Sequence, residues 1–174
     1  MKMYKNPHSV LVVIFCYSTQ RVLMLQRQDD PTFWQSVTGS LALNESPRET
    51  AIREVKEEVG IDIQSESLAL FDCEERIAFE IFPHFRYKYA PNVTHCLEHW
   101  FLLGLAEERI PHLTEHVAFQ WLPADQAAIL TKSWNNRAVI EKYLVKQPLD
   151  SGILQRITNE YNYLIKKEIE NGRS

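Results

Sequence analysis

The sequence predicts an α/β (α+β) fold, in which a mixed β-sheet is sandwiched between α-helices. Short runs rich in β-branched and aromatic residues alternate with turn residues, which is typical of strands. One well-capped amphipathic segment interrupts these runs, and helical spacing of apolar residues returns after residue 123. The chain has 174 residues, which is enough for one domain with a single core. We therefore expect a domain at residues 1–147 and a C-terminal helical extension at residues 148–174.

The first elements are three predicted strands. Residues 9–17 form an apolar run, and the run at residues 21–26 returns after a short polar turn, which predicts a β-hairpin. Residues 34–38 form a shorter strand that ends at Gly39. These strands lead directly into the first helix.

That helix is predicted at residues 47–59 from its end signals. Ser46 is a suitable N-cap, Pro47 suits the first helical position, and Glu49 can complete a capping box. Gly60 then ends the helix, because glycine readily adopts the left-handed conformation that closes many helices.

The second half of the chain predicts further strands and then helices. The strands are expected at residues 69–73, 77–82, 99–106 and 118–122. Helical spacing follows at residues 127–130 and 133–145. Residues 147–152 have the composition of a linker, and residues 153–170 carry the apolar stripe of a last amphipathic helix. This helix would pack on the domain or form a homodimer contact.

Composition and charge argue against several classes of function. The formal net charge of -4 lacks the basic excess of a general nucleic-acid binder, so no nucleic-acid partner is expected. No apolar run reaches the ~18 residues that cross a bilayer, so no membrane partner is expected either. The chain has 3 cysteines, which are widely spaced and favour buried thiols in a reducing, cytoplasmic protein.

Three glutamates share one face of the predicted helix at residues 47–59. At about 100° per residue, Glu54, Glu57 and Glu58 lie side by side, while Val55 lies on a side that can enter the core. A solvated acidic surface is one interpretation of such a face. A metal site is the other, because the apolar side anchors the helix and carboxylate oxygens favour Mg²⁺ or Mn²⁺ over zinc.

A longer pattern surrounds these glutamates. Residues 39–61 have the sequence GSLALNESPRETAIREVKEEVGI. The segment resembles the Nudix box, G-x5-E-x7-R-E-U-x-E-E-x-G-U, in which U is a bulky aliphatic residue. Its fixed positions are filled by Gly39, Glu45, Arg53, Glu54, Val55, Glu57, Glu58, Gly60 and Ile61. By this resemblance the chain is identified as a member of the Nudix family.

The resemblance implies a Nudix fold and a site for a divalent metal, Mg²⁺ or alternatively Mn²⁺. The implied metal ligands are Glu54, Glu57, Glu58 and Glu115. Arg53 is expected to support a box glutamate by a salt bridge, and Gly39 to allow a tight loop. Glu115 lies outside the box and is expected to act as a metal ligand or general base, its alternative being an exposed loop carboxylate.

Segments outside the box, such as RVLMLQRQDDP, FWQSVTGS and LTKSWNNR, extend the resemblance to substrate contacts. The implied substrate-binding residues are Lys5, Arg27, Thr38, Phe79, Glu80, Ile81, Phe82 and Ser133. The basic residues would neutralise phosphates, for which arginine offers bidentate contacts. Glu80 would accept hydrogen bonds from the N–H groups of a pterin or purine. A structural role is the alternative for each residue, for example Ser133 as a helix cap.

The implied reaction is Mg²⁺-dependent hydrolysis of a small-molecule triphosphate by water. The expected substrate is 7,8-dihydroneopterin 3′-triphosphate, an intermediate of folate biosynthesis, which would be cleaved to a monophosphate and pyrophosphate. The first alternative is dATP or another (d)NTP, and the second is a nucleotide-sensing module without catalysis. A monomer and a homodimer both remain open.

Overall fold

The computed structural model describes residues 3–146 of the chain. The predicted linker and helix of the C-terminal extension lie outside the described residues, so the extension stays a prediction. Within residues 3–146, no helix is long and apolar enough to span a membrane.

Seven strands and three α-helices make up the described part of the chain. The strands are β1 (His8–Cys16), β2 (Arg21–Arg27), β3 (Trp34–Gln35), β4 (Val37–Ser40), β5 (Leu70–Glu80), β6 (His95–Leu105) and β7 (His116–Pro123). The helices are α1 (Pro47–Val59), α2 (Ala124–Leu130) and α3 (Trp134–Ile140), which continues as a π-helical turn at Glu141–Val145. A 3₁₀ segment spans Pro83–Lys88. The predicted mixed sheet with flanking helices is confirmed.

Strand β1 lies at the centre of this sheet, whose order is β3-β2-β1-β6-β5. It runs parallel to β6 over its whole length, whereas its registered pairing with β2 is confined to Phe15 and Val22 near the turn. Towards the start of β1, β4 takes the place beside it, and Ser9 pairs with Ser40. Strands β1 and β2 therefore diverge, and between them lie β4, which pairs with β1, and β3, which pairs with β2.

Apolar side chains of the sheet pack on both of its faces. One core joins Val10, Val12 and Ile14 of β1 to Ala51, Val55 and Val59 of α1. The other core joins Leu11, Val13 and Phe15 of β1 to Ala127, Val139 and Ile140 of the later helices. The alternation follows from the two-residue period of a strand. It fixes α1 on one face of the sheet and α2 and α3 on the other.

The predicted ends of α1 are confirmed. The Ser46 hydroxyl accepts a hydrogen bond from the Glu49 N–H at 3.1 Å, and Glu49 Oε1 accepts one from the Ser46 N–H at 3.1 Å. This reciprocal pair is a capping box. Gly60 has a φ of 75°, the left-handed conformation expected at the end of the helix.

The predicted bounds of several strands were wrong in detail. The strands expected at residues 69–73 and 77–82 are the single strand β5, because a β-bulge between Asp72 and Arg76 absorbs the polar residues that resemble a turn. The strand expected at residues 34–38 is divided into β3 and β4. The Ser36 N–H at this division donates to Asn136 Oδ1 at 2.8 Å instead of to a neighbouring strand.

Candidate active site

A cleft with two compartments opens where β1 and β2 diverge. The acidic compartment has about 1150 Å³ of open space and is lined by Arg53, Glu54, Glu57, Glu58, Glu115 and His116. The aromatic compartment has about 720 Å³ and is lined by residues that include Phe33, Phe79, Ile81, Phe82, Phe85 and Glu98. Residues that border both compartments include Lys5, Arg27, Thr38, Gly39, Ser40 and Lys88. The two compartments therefore form one continuous cleft.

Arg53 organises the acidic compartment. Its guanidinium contacts both oxygens of Glu45 at 2.8 Å, Glu54 Oε1 at 2.8 Å and Glu57 Oε2 at 3.1 Å. The hydrogen bonds from Arg53 lower the pKa of Glu45 to about 2, and Glu45 in turn raises the pKa of Arg53. The structure thus places Arg53 as the expected support for the box glutamates.

Glu58 is the most deeply buried of the box carboxylates, with 3% of its surface exposed. Burial raises its pKa well above the ordinary value, and the neighbouring charges of Glu54 and Glu115 raise it further. Burial also raises the pKa of Glu54, against the opposing effect of Arg53. The Glu57 side chain is 58% exposed and lies at the rim. Negative charge is therefore crowded around Glu58.

The structure brings Glu115 to the same compartment. It lies just before β7, in a loop that hydrogen bonds tie to the last turn of α1. Thr114 Oγ1 donates to the Glu57 carbonyl at 2.8 Å, and the His112 N–H donates to the Val59 carbonyl at 3.0 Å. The Glu115 side chain itself is exposed. Its position outside the box is therefore fixed by backbone contacts to the box helix.

A divalent cation fits this arrangement. Within residues 3–146, no three His, Cys, Asp or Glu side chains are already gathered closely enough to hold a metal ion. Arg53 draws Glu54 and Glu57 into ion pairs, while Glu58 Oε2 is buried and has no hydrogen-bond partner among the described residues. A buried carboxylate oxygen facing other carboxylates needs a compensating positive charge. Donors that are all oxygens suit a hard cation whose remaining ligands come from phosphate or water.

Gly39 has a different role from the expected tight loop. It lies within β4 and its φ is not in the left-handed region. A Cβ atom built at this position would overlap the Glu54 carboxyl group. Glycine is therefore needed here for the close approach of the Glu54 side chain to the strand.

A group of positive charges lies between the two compartments. Arg27 forms two hydrogen bonds to Asp29, at 2.7 and 2.6 Å, and Lys88 Nζ donates to the same carboxylate at 2.8 Å. Burial lowers the pKa of Lys5, and the nearby charges of Lys88 and Arg27 lower it further. Lys5, Arg27 and Lys88 are therefore close enough to repel one another, and an anionic ligand between them would relieve this repulsion.

Aromatic rings form the wall of the second compartment. The rings of Phe33 and Phe82 meet edge to face at 5.4 Å, and the Arg27 guanidinium lies 4.2 Å from the centre of the Phe85 ring. Of the predicted residues at the end of β5 and just after it, Phe79, Ile81 and Phe82 line this compartment. Such a wall suits a flat heterocycle, which can stack on or beside the rings.

Glu80 does not lie in this compartment. Its side chain is 66% exposed and pairs with Arg86 Nη2 at 3.1 Å. Adjacent side chains of a strand point to opposite faces, so Phe79 and Ile81 cannot share a face with Glu80. The structure therefore turns the expected ring-binding carboxylate away from the pocket.

A different carboxylate, Glu98, lines the aromatic compartment and was missed by the sequence analysis. It is 2% exposed, and its Oε1 accepts hydrogen bonds from Trp100 Nε1 at 3.2 Å and from Asn135 Nδ2. Burial raises the pKa of Glu98 to about 7. Glu98 and Trp100 are two residues apart and so share one face of β6, a pattern that could have indicated Glu98. The predicted strand at residues 99–106 began one residue too late to include it.

The remaining predicted residues lie where the compartments meet or in the aromatic wall. Thr38 borders both compartments, and its backbone hydrogen-bonds Glu58. Ser133 lines the aromatic compartment and also caps α3, because its Oγ accepts from the Asn136 N–H at 3.2 Å. Lys88 was missed, although the basic and aromatic run at residues 86–89 was a signal for it.

His116 also lines the acidic compartment without having been predicted. Burial lowers its pKa to about 4, and the charge of Arg27 acts in the same direction. The imidazole is therefore neutral near pH 7, which leaves the carboxylates as the charged groups of this compartment.

Known bacterial proteins are similar to this chain over most of its length. A protein of Haemophilus influenzae named dihydroneopterin triphosphate diphosphatase is 62% identical over 144 residues, which cover 83% of this chain and 91% of that protein. The protein of the same name from Escherichia coli K12 is 56% identical over 144 residues, covering 83% of this chain and 96% of that protein. The structure of the E. coli dihydroneopterin triphosphate pyrophosphohydrolase matches with a TM-score of 0.82 at 55% identity, covering 83% of this chain and 99% of that chain.

The family description matches most of the chain as well. The model of the NUDIX domain matches residues 5–143, a range that contains both compartments of the cleft and the complete box at residues 39–61. With this match and relatives of such identity, the chain belongs to the NUDIX family.

Proposed function

We propose that this chain is an Mg²⁺-dependent hydrolase that converts 7,8-dihydroneopterin 3′-triphosphate to dihydroneopterin monophosphate and pyrophosphate. The observation that carries the proposal is the order of chemistry along the cleft, from carboxylates through cations to an aromatic wall. This order matches a cation, a triphosphate and a flat ring. Relatives at 62% and 56% identity carry the name of this activity, which supports the same substrate here.

The cations between the compartments would bind the phosphates of the substrate. Lys5, Arg27 and Lys88 border both compartments, so they can contact a triphosphate whose ring lies against the aromatic wall. Arg27 can offer two parallel N–H donors to one phosphate, because its guanidinium is planar. Phosphate oxygens would replace the Asp29 carboxylate that Arg27 and Lys88 now share.

The box carboxylates would hold the cation. Glu54 and Glu58 are proposed as direct ligands, Glu57 as a ligand at the rim, and Arg53 as the group that keeps their side chains in place. Mg²⁺ is the proposed ion because the donors are oxygens and the substrate brings phosphate. When bound, the ion supplies neutralisation of phosphate charge and a more acidic water.

Glu115 is the proposed partner of the box from outside it. It faces Glu54 and Glu58 across the acidic compartment and is held there through Thr114. It either binds the cation or takes the proton from the attacking water. Glu115→Gln separates these roles: weaker Mg²⁺ binding indicates a ligand, and unchanged Mg²⁺ binding with a lost rate indicates the base.

The experiment is incubation of the purified protein with 7,8-dihydroneopterin 3′-triphosphate and Mg²⁺, followed by measurement of pyrophosphate and phosphate. We expect pyrophosphate as the released product and no reaction after chelation of the metal. Absence of pyrophosphate release would overturn the proposal. A kcat/KM much higher for dATP than for the pterin compound would assign the chain to nucleotide hydrolysis instead. A role in folate biosynthesis and a cytoplasmic location stay predictions.

A further inference from the structure

We propose that Glu98 and Ser9 recognise the edge of the substrate ring and select a 2-amino-4-oxo ring, as in pterins, over an adenine ring. This inference rests on the proposed function, since it concerns the ring of that triphosphate. The ring would thus be recognised by two buried residues on neighbouring strands, and not by the exposed Glu80.

The two residues lie side by side in the sheet. Ser9 of β1 is in register with Glu98 of β6, and these strands are parallel neighbours, which lie about 4.8 Å apart. Both residues are buried, and both line the aromatic compartment. They therefore present one hydroxyl and one carboxyl group to the same end of the pocket.

A chain of hydrogen bonds fixes the orientation of the Glu98 carboxyl group. The Ser133 hydroxyl accepts from the Asn136 N–H and donates to Asn135 Oδ1, which directs Asn135 Nδ2 towards Glu98 Oε1. Trp100 Nε1 donates to the same oxygen at 3.2 Å. Within the described residues, both hydrogen bonds thus reach Oε1, and Oε2 is left for a donor in the pocket.

The buried hydroxyl group of Ser9 supports the proposal independently of Glu98. Its Oγ is buried and has no hydrogen-bond partner among residues 3–146. A buried hydroxyl without a partner costs free energy unless a ligand provides the missing bond. Because Ser9 borders the aromatic compartment, a ligand in that compartment can provide it.

A 2-amino-4-oxo ring matches this pair of groups. Its amino group and its ring N3–H are donors for the carboxylate, and its 4-oxo oxygen is an acceptor for the Ser9 hydroxyl. An adenine ring presents an acceptor nitrogen beside its amino group, and this nitrogen would face the Glu98 carboxylate without a proton between them. Sites that leave polar groups unpaired with the wrong ligand discriminate strongly.

The test is the selectivity of Glu98→Gln, measured as kcat/KM for 7,8-dihydroneopterin 3′-triphosphate and for dATP at pH 8.5. Trp100 and Asn135 hold the amide oxygen at the Oε1 position, so the new NH₂ group faces the ring. It would oppose the N3–H of the pterin but donate to the acceptor nitrogen of adenine. We expect kcat/KM for the pterin compound to fall about 10- to 100-fold, while kcat/KM for dATP is unchanged or higher.

The matched control is Glu80→Gln, which makes the same change at an exposed position and should leave both values unaltered. If the role of Glu98 were purely structural, Glu98→Gln would lower kcat/KM for both substrates equally. An equal loss, or an unaltered ratio of the two kcat/KM values, overturns the inference. If Glu98→Gln fails to fold, Ser9→Ala carries the test, with an expected loss of about 5- to 10-fold for the pterin compound alone. A wild-type protein that leaves the pterin compound intact overturns the proposed function itself, and the inference with it.

Discussion

The two compartments each contain a buried glutamate with a raised pKa, but the surroundings of the two carboxyl groups differ. Glu58 faces other carboxylates, and its Oε2 has no hydrogen-bond partner in the described part of the chain. Glu98 Oε1 accepts hydrogen bonds from Trp100 and Asn135, and aromatic rings line the same compartment. Burial raises both pKa values, yet the compensation that each group needs is different. Glu58 requires positive charge, whereas Glu98 requires N–H donors.

The largest effect is expected from Glu58→Gln. Loss of this carboxylate removes a proposed metal ligand and should lower kcat about 1000-fold, beyond the 10- to 100-fold typical of groups that only support a ligand. The metal-free variant should also be more stable than the metal-free wild type near pH 7, because the surroundings of Glu58 raise its pKa and so disfavour its ionised form, whereas glutamine carries no charge. Steady-state kinetics and thermal unfolding measure the two effects.

Glu107→Gln provides the control for this variant, because Glu107 is exposed and lies outside both compartments. It should change neither kcat nor thermal stability. Wild-type activity in Glu58→Gln would show that the acidic compartment is not the catalytic one.

The second effect is on the pH dependence of stability. The pKa of Glu98 is raised from 4.5 to about 7, so the folded state binds more protons than the unfolded state between these values. The free energy of unfolding should therefore fall as the pH rises from about 4.5 through about 7. At roughly 1.4 kcal/mol for each pKa unit, the decrease from this group is about 3 kcal/mol. Chemical denaturation across this range should reveal it.

Glu98→Gln isolates this contribution. Glu58 acts in the same direction, but saturating Mg²⁺ should remove its effect and leave that of Glu98. His116 acts in the opposite direction, because its lowered pKa makes the folded state bind fewer protons between about 4 and 6.5. Its effect cancels when the two proteins are compared. If the free energy of unfolding of the wild type and of Glu98→Gln had the same pH dependence in saturating Mg²⁺, the raised pKa of Glu98 would be contradicted.

The acidic compartment could be predicted from the sequence because its chemistry is local. Glu54, Glu57 and Glu58 lie within two turns of one helix, whose start is fixed by the capping box at Ser46 and whose end is fixed by Gly60. Local spacing therefore determines which of the box carboxylates meet. The resemblance to the box then favours a metal site over a solvated surface.

The aromatic compartment could be predicted only in part, because its contacts join distant parts of the chain. Glu98 and Asn135 are separated by 37 positions, and Ser36 and Asn136 by 100. No local pattern indicates these contacts, which depend on the parallel pairing of β1 with β6 and on the packing of α3. From the sequence alone, Glu80 was therefore predicted to bind the ring although its side chain is exposed and pairs with Arg86.

The third effect concerns Gly39→Ala. The added methyl group would displace the Glu54 carboxyl group from the strand, while the strand itself has ordinary φ values. We expect kcat to fall about 30-fold, a smaller loss than from Glu58→Gln because the carboxylate is moved but kept. The double variant Gly39→Ala with Glu54→Asp should recover part of the activity, since the shorter side chain relieves the overlap. No loss in the single variant would contradict the close-approach role of Gly39.

The smallest effect is expected from Lys88→Ala, at the boundary between the compartments. Lys88 borders both and shares Asp29 with Arg27, so its loss removes one of the cations proposed to bind the triphosphate. The phosphate contact is made in the ground state and the transition state alike, so KM should rise about 10-fold while kcat changes little. The effect should shrink at high ionic strength, because salt screens exposed charges. Lys56→Ala is the matched control, since Lys56 is exposed, pairs with Asp62 and lies outside both compartments. A fall in kcat with unchanged KM would instead place Lys88 in the chemistry of the acidic compartment.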